Sequence, residues 1–230
     1  MDRLDIVFAA KECCRHMSKP TVIAMDALKR LARYLLGKPR YVYQYDWQED
    51  GGVEVCADTD FAGCTVTRRS TSEGCLFRGS HLVKHWASTQ KTIALSSGEA
   101  ELAGIVRGAG ERIGMRSFGC DLGLSLRIRV HSDASAAIGM CRRTGIGRIR
   151  HLAVGQLWVQ EKVRGGDLEL LKVPGASNPA DAMTKHLGKI VLEPHMQRMK
   201  VIPCEGRAST APTINLLLAA ESAACTFVSN

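Results

Sequence analysis

The spacing of apolar residues changes at Gly52, and that change restricts the fold more than any other feature of the chain. Upstream, the period is helical: residues 2–17 read as one helix and 21–37 as a second. In the second, Ala27, Leu28, Leu31, Ala32, Tyr34 and Leu35 share a face, Lys29, Arg30 and Arg33 lie between them, and Pro20 and Gly37 mark its ends. Tyr41–Tyr45 alternates like a strand, and Gln48-Glu-Asp-Gly-Gly52 reads as a boundary. Downstream, Val53, Val55 and Ala57 alternate with Glu54, Cys56 and Asp58 as in a strand. Two more strands follow near Gly74–Arg78 and Leu82–Ala87, joined by a hairpin at Arg78-Gly79-Ser80. Ser96 and Glu99 fit a capping box that opens a helix with Leu102, Ile105, Val106, Ala109 and Ile113 on its apolar face. A strand at Leu126–His131, a helix through Met140, a helix at His151–Val163, a strand at Asp167–Val173 and a helix at Asn178–Leu187 complete the pattern. Antiparallel strands followed by alternating units predict an α/β fold, a mixed sheet packed by helices. Beyond it, 190–201 reads as one more helix and 203–230 as loosely ordered.

Four carboxylates fall where these strands end or helices begin: Asp58, Glu101, Asp133 and Asp181. Carboxylates gathered from separate elements are what hard divalent cations need for phosphodiester chemistry. Each also has an ordinary use. Asp58 is a strand-end polar residue, Asp133 can cap a helix, and Asp181, two residues after Pro179, suits a helix first turn. Glu99 is occupied by the capping box, whereas Glu101 shares a face with Leu102 and Ile105 and leans toward the sheet. Asp60 is the weaker neighbour of Asp58, because Phe61-Ala-Gly63 bends the chain after it.

The balance of charge narrows the partners. The 230 residues carry a formal net charge of +8, which suits a polyanion, nucleic acid before an anionic membrane. A basic run, Arg142, Arg143, Arg148 and Arg150, together with Lys84 and Lys91, is the candidate phosphate grip. The nine cysteines form no Cys-x-x-Cys pair and no zinc-finger spacing with histidine, so they read as reduced thiols of an intracellular protein, cytoplasmic or nuclear. The charged start shows no secretory signal, and the apolar run 214–220 is too short to cross a bilayer, so no membrane partner is expected.

Residues 52–187 resemble the ribonuclease H domain of Copia-type LTR retrotransposon Pol polyproteins. The matching words are Ala57-Asp-Thr-Asp-Phe-Ala-Gly63, Arg68-Arg-Ser-Thr-Ser72, Ala94-Leu-Ser-Ser-Gly-Glu-Ala-Glu101, His131-Ser-Asp-Ala-Ser-Ala-Ala-Ile138, Arg150-His151 with Gln160-Glu-Lys-Val163, and Ala180-Asp-Ala-Met-Thr-Lys185, in the family's order. Leu4-Asp-Ile-Val-Phe-Ala9 and Ala27–Gly37 resemble the end of the reverse transcriptase region, without the polymerase's Asp-Asp motif. The resemblance implies a ribonuclease-H-like five-stranded mixed sheet with helices on both faces, preceded by a short helical connection segment. It divides the chain into a reverse transcriptase remnant (1–50), the ribonuclease H-like domain (51–190), and a C-terminal helix with its tail (191–230).

The same resemblance implies the chemistry. It makes Asp58, Glu101, Asp133 and Asp181 the catalytic and metal-binding residues, holding two Mg²⁺ ions, with Mn²⁺ as a substitute. The substrate is the RNA strand of an RNA–DNA hybrid, told from DNA near Glu101, and the partner is the upstream reverse transcriptase region of the same polyprotein. Many cellular ribonucleases H carry a histidine in the loop before the last aspartate. Lys172–Asn178 has none, which bears on product release rather than on the core chemistry. Gly98 also departs from the usual residue before Glu99, and His151 is given a structural or substrate-side role. The competing readings are an inactive nucleic-acid-binding or connection module, and another nuclease of the same fold.

Overall fold

The computed structural model describes residues 3–49, 52–147, 151–152, 154–183 and 187–206. A 3-10 turn at Leu4–Ile6 leads into α1 (Val7–Cys14), α2 (Val22–Gly37) and β1 (Arg40–Tyr43). Then come β2 (Val53–Thr59), β3 (Thr71–Arg78), β4 (His81–Thr89), α3 (Ser97–Asp121), β5 (Ile128–Ser132), α4 (Ser135–Arg142), α5 (Trp158–Arg164) and β6 (Glu169–Lys172). The chain continues through 3-10 turns at Gly175–Ser177 and Pro179–Met183 to α6 (Lys189–Arg198) and β7 (Val201–Cys204).

The principal sheet has five strands in the order β4-β3-β2-β5-β6. β2, β3 and β4 pair antiparallel, while β2, β5 and β6 pair parallel. This is the ribonuclease-H-like mixed sheet, with β2 at its centre. Six of the seven residues of β2 are buried, as a strand covered on both faces requires. Val53 and Val55 join the core formed with α3, α4 and α5, including Leu102, Ile105, Ala137, Ile138 and Val159. Cys56 faces the opposite core, built from Leu4, Cys75, Phe77, Ala180, Met183, Met196 and Met199.

Glycine sets how closely α3 lies on β2. A Cβ on Gly104 would overlap Thr59 Oγ1, and one on Gly108 would stand 3.0 Å from Val55 Cγ1. Gly74 likewise lies beneath the Trp86 ring, where a Cβ would overlap Cζ2. The hairpin between β3 and β4 turns at Gly79, whose φ of +57° favours glycine.

Several expectations change. The helix expected over 178–187 is a 3-10 turn at Pro179–Met183, and residues 184–186 lie outside the described set. The helix expected over 151–163 begins as a 3-10 turn at Val154–Gln156, with α5 covering only 158–164. Residues 201–204, expected as a helix end and loose tail, form β7, which pairs antiparallel with β1 from Arg40↔Cys204 to Tyr43↔Val201. A four-residue strand containing Pro203 carries almost no sequence signal. Thr21 caps α2 by accepting from the Ala24 N–H at 3.2 Å, yet no residue of α2 is buried. Among the described residues no helix is long and apolar enough to cross a membrane.

The close approach has a measurable sign. In an unobstructed helix, Gly→Ala stabilises by about 0.5–1 kcal/mol, and Gly110, with nothing within 4 Å of its Cβ position, should follow that rule. Gly104→Ala should instead destabilise by about 1–3 kcal/mol, and a Thr59→Ala background should recover part of the loss. Urea unfolding of the single and double variants measures both effects.

Candidate metal centre

Asp58 is the sixth residue of β2 and is only 8% exposed. Its neighbour Asp60 lies just past the strand and is used structurally. The Asp60 carboxylate accepts from the Thr71 N–H, and its own N–H donates to the Thr71 carbonyl at 3.1 Å. The connection beyond is pinned by the Ala62 N–H donating to Ser70 Oγ at 3.0 Å.

Glu101 sits in the first turns of α3, whose start is fixed by two contacts. Ser96 Oγ accepts from the Glu99 N–H at 3.2 Å, and Glu99 Oε2 accepts from the Leu95 N–H at 2.8 Å. Glu99 also meets His151 Nε2 at 3.1 Å, which places His151 in a structural contact. With Glu99 tied outside, Glu101 is half-buried against β2. Asp133 follows β5 directly, where Ser132 Oγ accepts from the Ala134 N–H at 3.2 Å. The loop after β6 passes so close that a Cβ on Gly175 would stand 2.9 Å from Asp133 Oδ2.

Asp58, Glu101 and Asp133 therefore converge, each offering a carboxylate oxygen within 4.8 Å of the others. At 4.8 Å two negative charges repel by about 3.5 kcal/mol at an effective dielectric near 20. Burial, reinforced by Asp58 and Asp133, pushes the Glu101 carboxyl up to about 9, although the Thr59 N–H works the other way. Oxygen donors crowded in this way suit a hard divalent cation.

Asp181 is outside that group of three. It lies on the Pro179–Met183 turn, which packs against β2 and β3 on the Cys56 side of the sheet. Asn178 fixes the turn: its Nδ2 donates to the Ala57 carbonyl at 3.0 Å, and its Oδ1 accepts from the Ala180 N–H at 3.2 Å. Asn178 thus ties Asp181's turn to the residue before Asp58.

The basic candidates are dispersed. Lys84 pairs with Glu111 at 2.6 Å, about 15 Å down α3 from Glu101 at 1.5 Å per residue. Arg142 is exposed and donates to the Leu170 carbonyl at 2.9 Å, while Arg143 is turned back to the Ile146 carbonyl at 2.7 Å. Lys91 is exposed in the turn before α3, and Arg148 and Arg150 lie outside the described residues.

Three residues near the acids escape a reading of the sequence. Lys172, at the end of β6, donates to Ser135 Oγ at 2.6 Å beside Asp133. Lys11 reaches from α1 to Thr71 Oγ1 at 2.8 Å. Glu73 stands directly across from Asp58 in the β2–β3 register and is fully buried, which pushes its carboxyl up to about 9. The one available signal is a glutamate inside Thr71-Ser-Glu-Gly-Cys-Leu-Phe77, a stretch with no other charge.

The strand order and the three converging carboxylates define a ribonuclease-H-like domain with a candidate divalent-cation centre. No family model matches the chain. The Retrovirus-related Pol polyprotein from transposon TNT 1-94 of Nicotiana tabacum is 31% identical over 186 residues, 80% of this chain and 14% of that protein. The corresponding polyprotein from transposon RE2 of Arabidopsis thaliana is 26% identical over 203 residues, 87% of this chain and 14% of that protein. The chain is thus a relative of retrovirus-related Pol polyproteins from Copia-type transposons, and its strand order is consistent with their ribonuclease H region. It spans 14% of the length of these relatives. Among solved structures, LC11-RNase H1 in complex with an RNA/DNA hybrid superposes with a TM-score of 0.41 and 10% identity, over 57% of this chain and 92% of that one. At that score the fold assignment rests on the strand order.

The carboxylates make metal-free stability depend on pH. Glu101 has an ordinary value of 4.5 and a folded value of about 9, so the folded state holds the extra proton between them. Its favourable contribution is complete below pH 4.5 and is lost as pH rises toward 9. Thermal unfolding in EDTA should show the midpoint falling from about pH 5 to pH 8.5. Glu101→Gln should flatten that slope, and Mg²⁺ should offset it at the alkaline end.

Proposed function

We propose that this domain hydrolyses the RNA strand of RNA–DNA hybrids during reverse transcription, using Mg²⁺ held by Asp58, Glu101, Asp133 and Asp181. The observation that carries the reading is the convergence of Asp58, Glu101 and Asp133 from the ends of β2 and β5 and the start of α3. Kinship with retrotransposon Pol polyproteins supports the substrate, because reverse transcription leaves RNA paired with DNA. When bound, the metal supplies a lowered pKa for an attacking water and charge neutralisation at the leaving oxygen.

The chain's own groups prepare the site. A protonated Glu101 spares the metal-free cluster one of three adjacent negative charges, and the Thr59 N–H orients its carboxyl. Asn178 sets the position of the Asp181 turn. Lys172, beside Asp133, and Lys91, before α3, are exposed cations at this end of the sheet, and we assign them to the hybrid backbone with Arg142. Arg143, Arg148, Arg150 and Lys84 complete the proposed grip. The segment 1–50 is assigned to the reverse transcriptase remnant, with the upstream polymerase region as partner. The exposed apolar residues Val22, Ile23 and Leu36 of α2 suit such docking.

The purified chain should cleave a labelled RNA–DNA hybrid in Mg²⁺ and not in EDTA, and leave duplex DNA and single-stranded RNA intact. Asp58→Asn should reduce cleavage by at least about a hundredfold, as expected when a metal-held charge is removed from the reacting centre. Hybrid binding without any cleavage would instead identify an inactive module. Lys172→Ala should lower affinity for every hybrid sequence and reduce the salt slope by about 0.7–0.9, the value for a single neutralised phosphate. An unchanged slope would remove Lys172 from the grip.

A further inference from the structure

Glu73 is the only acidic side chain among the described residues that is wholly buried with neither carboxylate oxygen hydrogen-bonded. It is not one of the three converging acids, and it comes from a different strand. The β2–β3 register sets it opposite Asp58, so the two side chains leave the same face of the sheet. That face is covered by the turn bearing Asp181. The charges that act on Glu73 are those of Lys11, Asp58, Asp60 and Asp181, one amine against three carboxylates. Lys11 is already engaged, at 2.8 Å from Thr71 Oγ1 and 3.0 Å from Glu12 Oε1. Asp60 is committed to the Thr71 N–H. Two buried oxygens thus lie on the face that Asp58 shares, where a cation can satisfy them and no protein donor does.

We propose that Glu73 is a fifth acidic donor of the cation centre, acting on the side that Asp58 shares with Asp181, either on the ion directly or through one of its waters. The inference rests on the reading of Asp58 as a cation ligand. It gives a use to a wholly buried carboxylate in a strand whose other charge, Arg78, lies at its end.

Titration calorimetry with Mn²⁺, on the full chain without nucleic acid, tests this apart from activity. Glu73→Gln should weaken Mn²⁺ binding by about tenfold, the size expected when a group supporting a metal site is removed. Its metal-free melting midpoint should stay at or above that of the parent, since an unpartnered buried carboxyl has gone. Should Glu73→Gln fail to fold, Glu73→Asp keeps the charge, withdraws it by one methylene, and should weaken binding likewise. An isotherm of the folded Glu73 variant that overlays the parent, while Asp58→Asn is weakened, overturns the role of Glu73 and leaves the cation centre standing. No Mn²⁺ binding by the parent, or equal binding by parent and Asp58→Asn, overturns the cation centre itself.

Discussion

The approach of α3 to β2 governs the rest of the structure. Gly104 and Gly108 let the helix backbone settle against Thr59 and Val55, at a distance where a Cβ would force those side chains to shift. Glu101, one turn earlier, is thereby carried over the end of β2 and meets Asp58, while the parallel neighbour β5 delivers Asp133 from below. A helix standing farther out would leave three separate, solvated carboxylates. The same contact forms the larger core, so the packing that stabilises the domain also forces like charges together. A domain built this way gives up stability at its centre, the cost of holding those carboxylates together.

Much of this is legible in the chain because alternation, capping and glycine punctuation act locally. The strand at 53–59, those expected near 74–78 and 82–87, which run longer as 71–78 and 81–89, the cap at Ser96 and the inward turn of Glu101 all follow from residues within a few positions of one another. What stays hidden depends on register and distance. The burial of Glu73 is a property of the pairing with Asp58, and no window along β3 contains it. The role of Asn178 depends on a carbonyl 121 residues away. Pro179 suits a helix first turn and so suggests a helix at Asp181, yet the short segment closes as a 3-10 turn packed on the sheet. The basic residues read as one run in the sequence, but Arg142 and Arg143 point to different backbone carbonyls, and Lys84 is drawn to Glu111.

The two faces of the sheet divide the labour. One carries aliphatic packing from α3, α4 and α5. The other carries methionines, cysteines and the turn that brings Asp181. Asp58 belongs to the second face while Glu101 reaches it from the first, so the acids meet around the end of β2 rather than on either surface. Access from the strand ends follows directly, as in α/β sheets that collect ligands at their carboxyl edges.

The ribbon formed by β1 and β7 changes what counts as a module here. Arg40–Tyr43 belongs to the stretch that resembles polymerase, and Val201–Cys204 lies after the ribonuclease-H-like domain, yet each supplies the other's backbone partners. Leu4 shares a core with Met196, Met199 and Val201. Contacts of the described residues thus run across the division that sequence kinship draws at residue 50. A cut there leaves β7 with a bare edge and takes Lys11 away from its contact with Thr71, so the segment before residue 50 and the one after residue 200 hold each other in place.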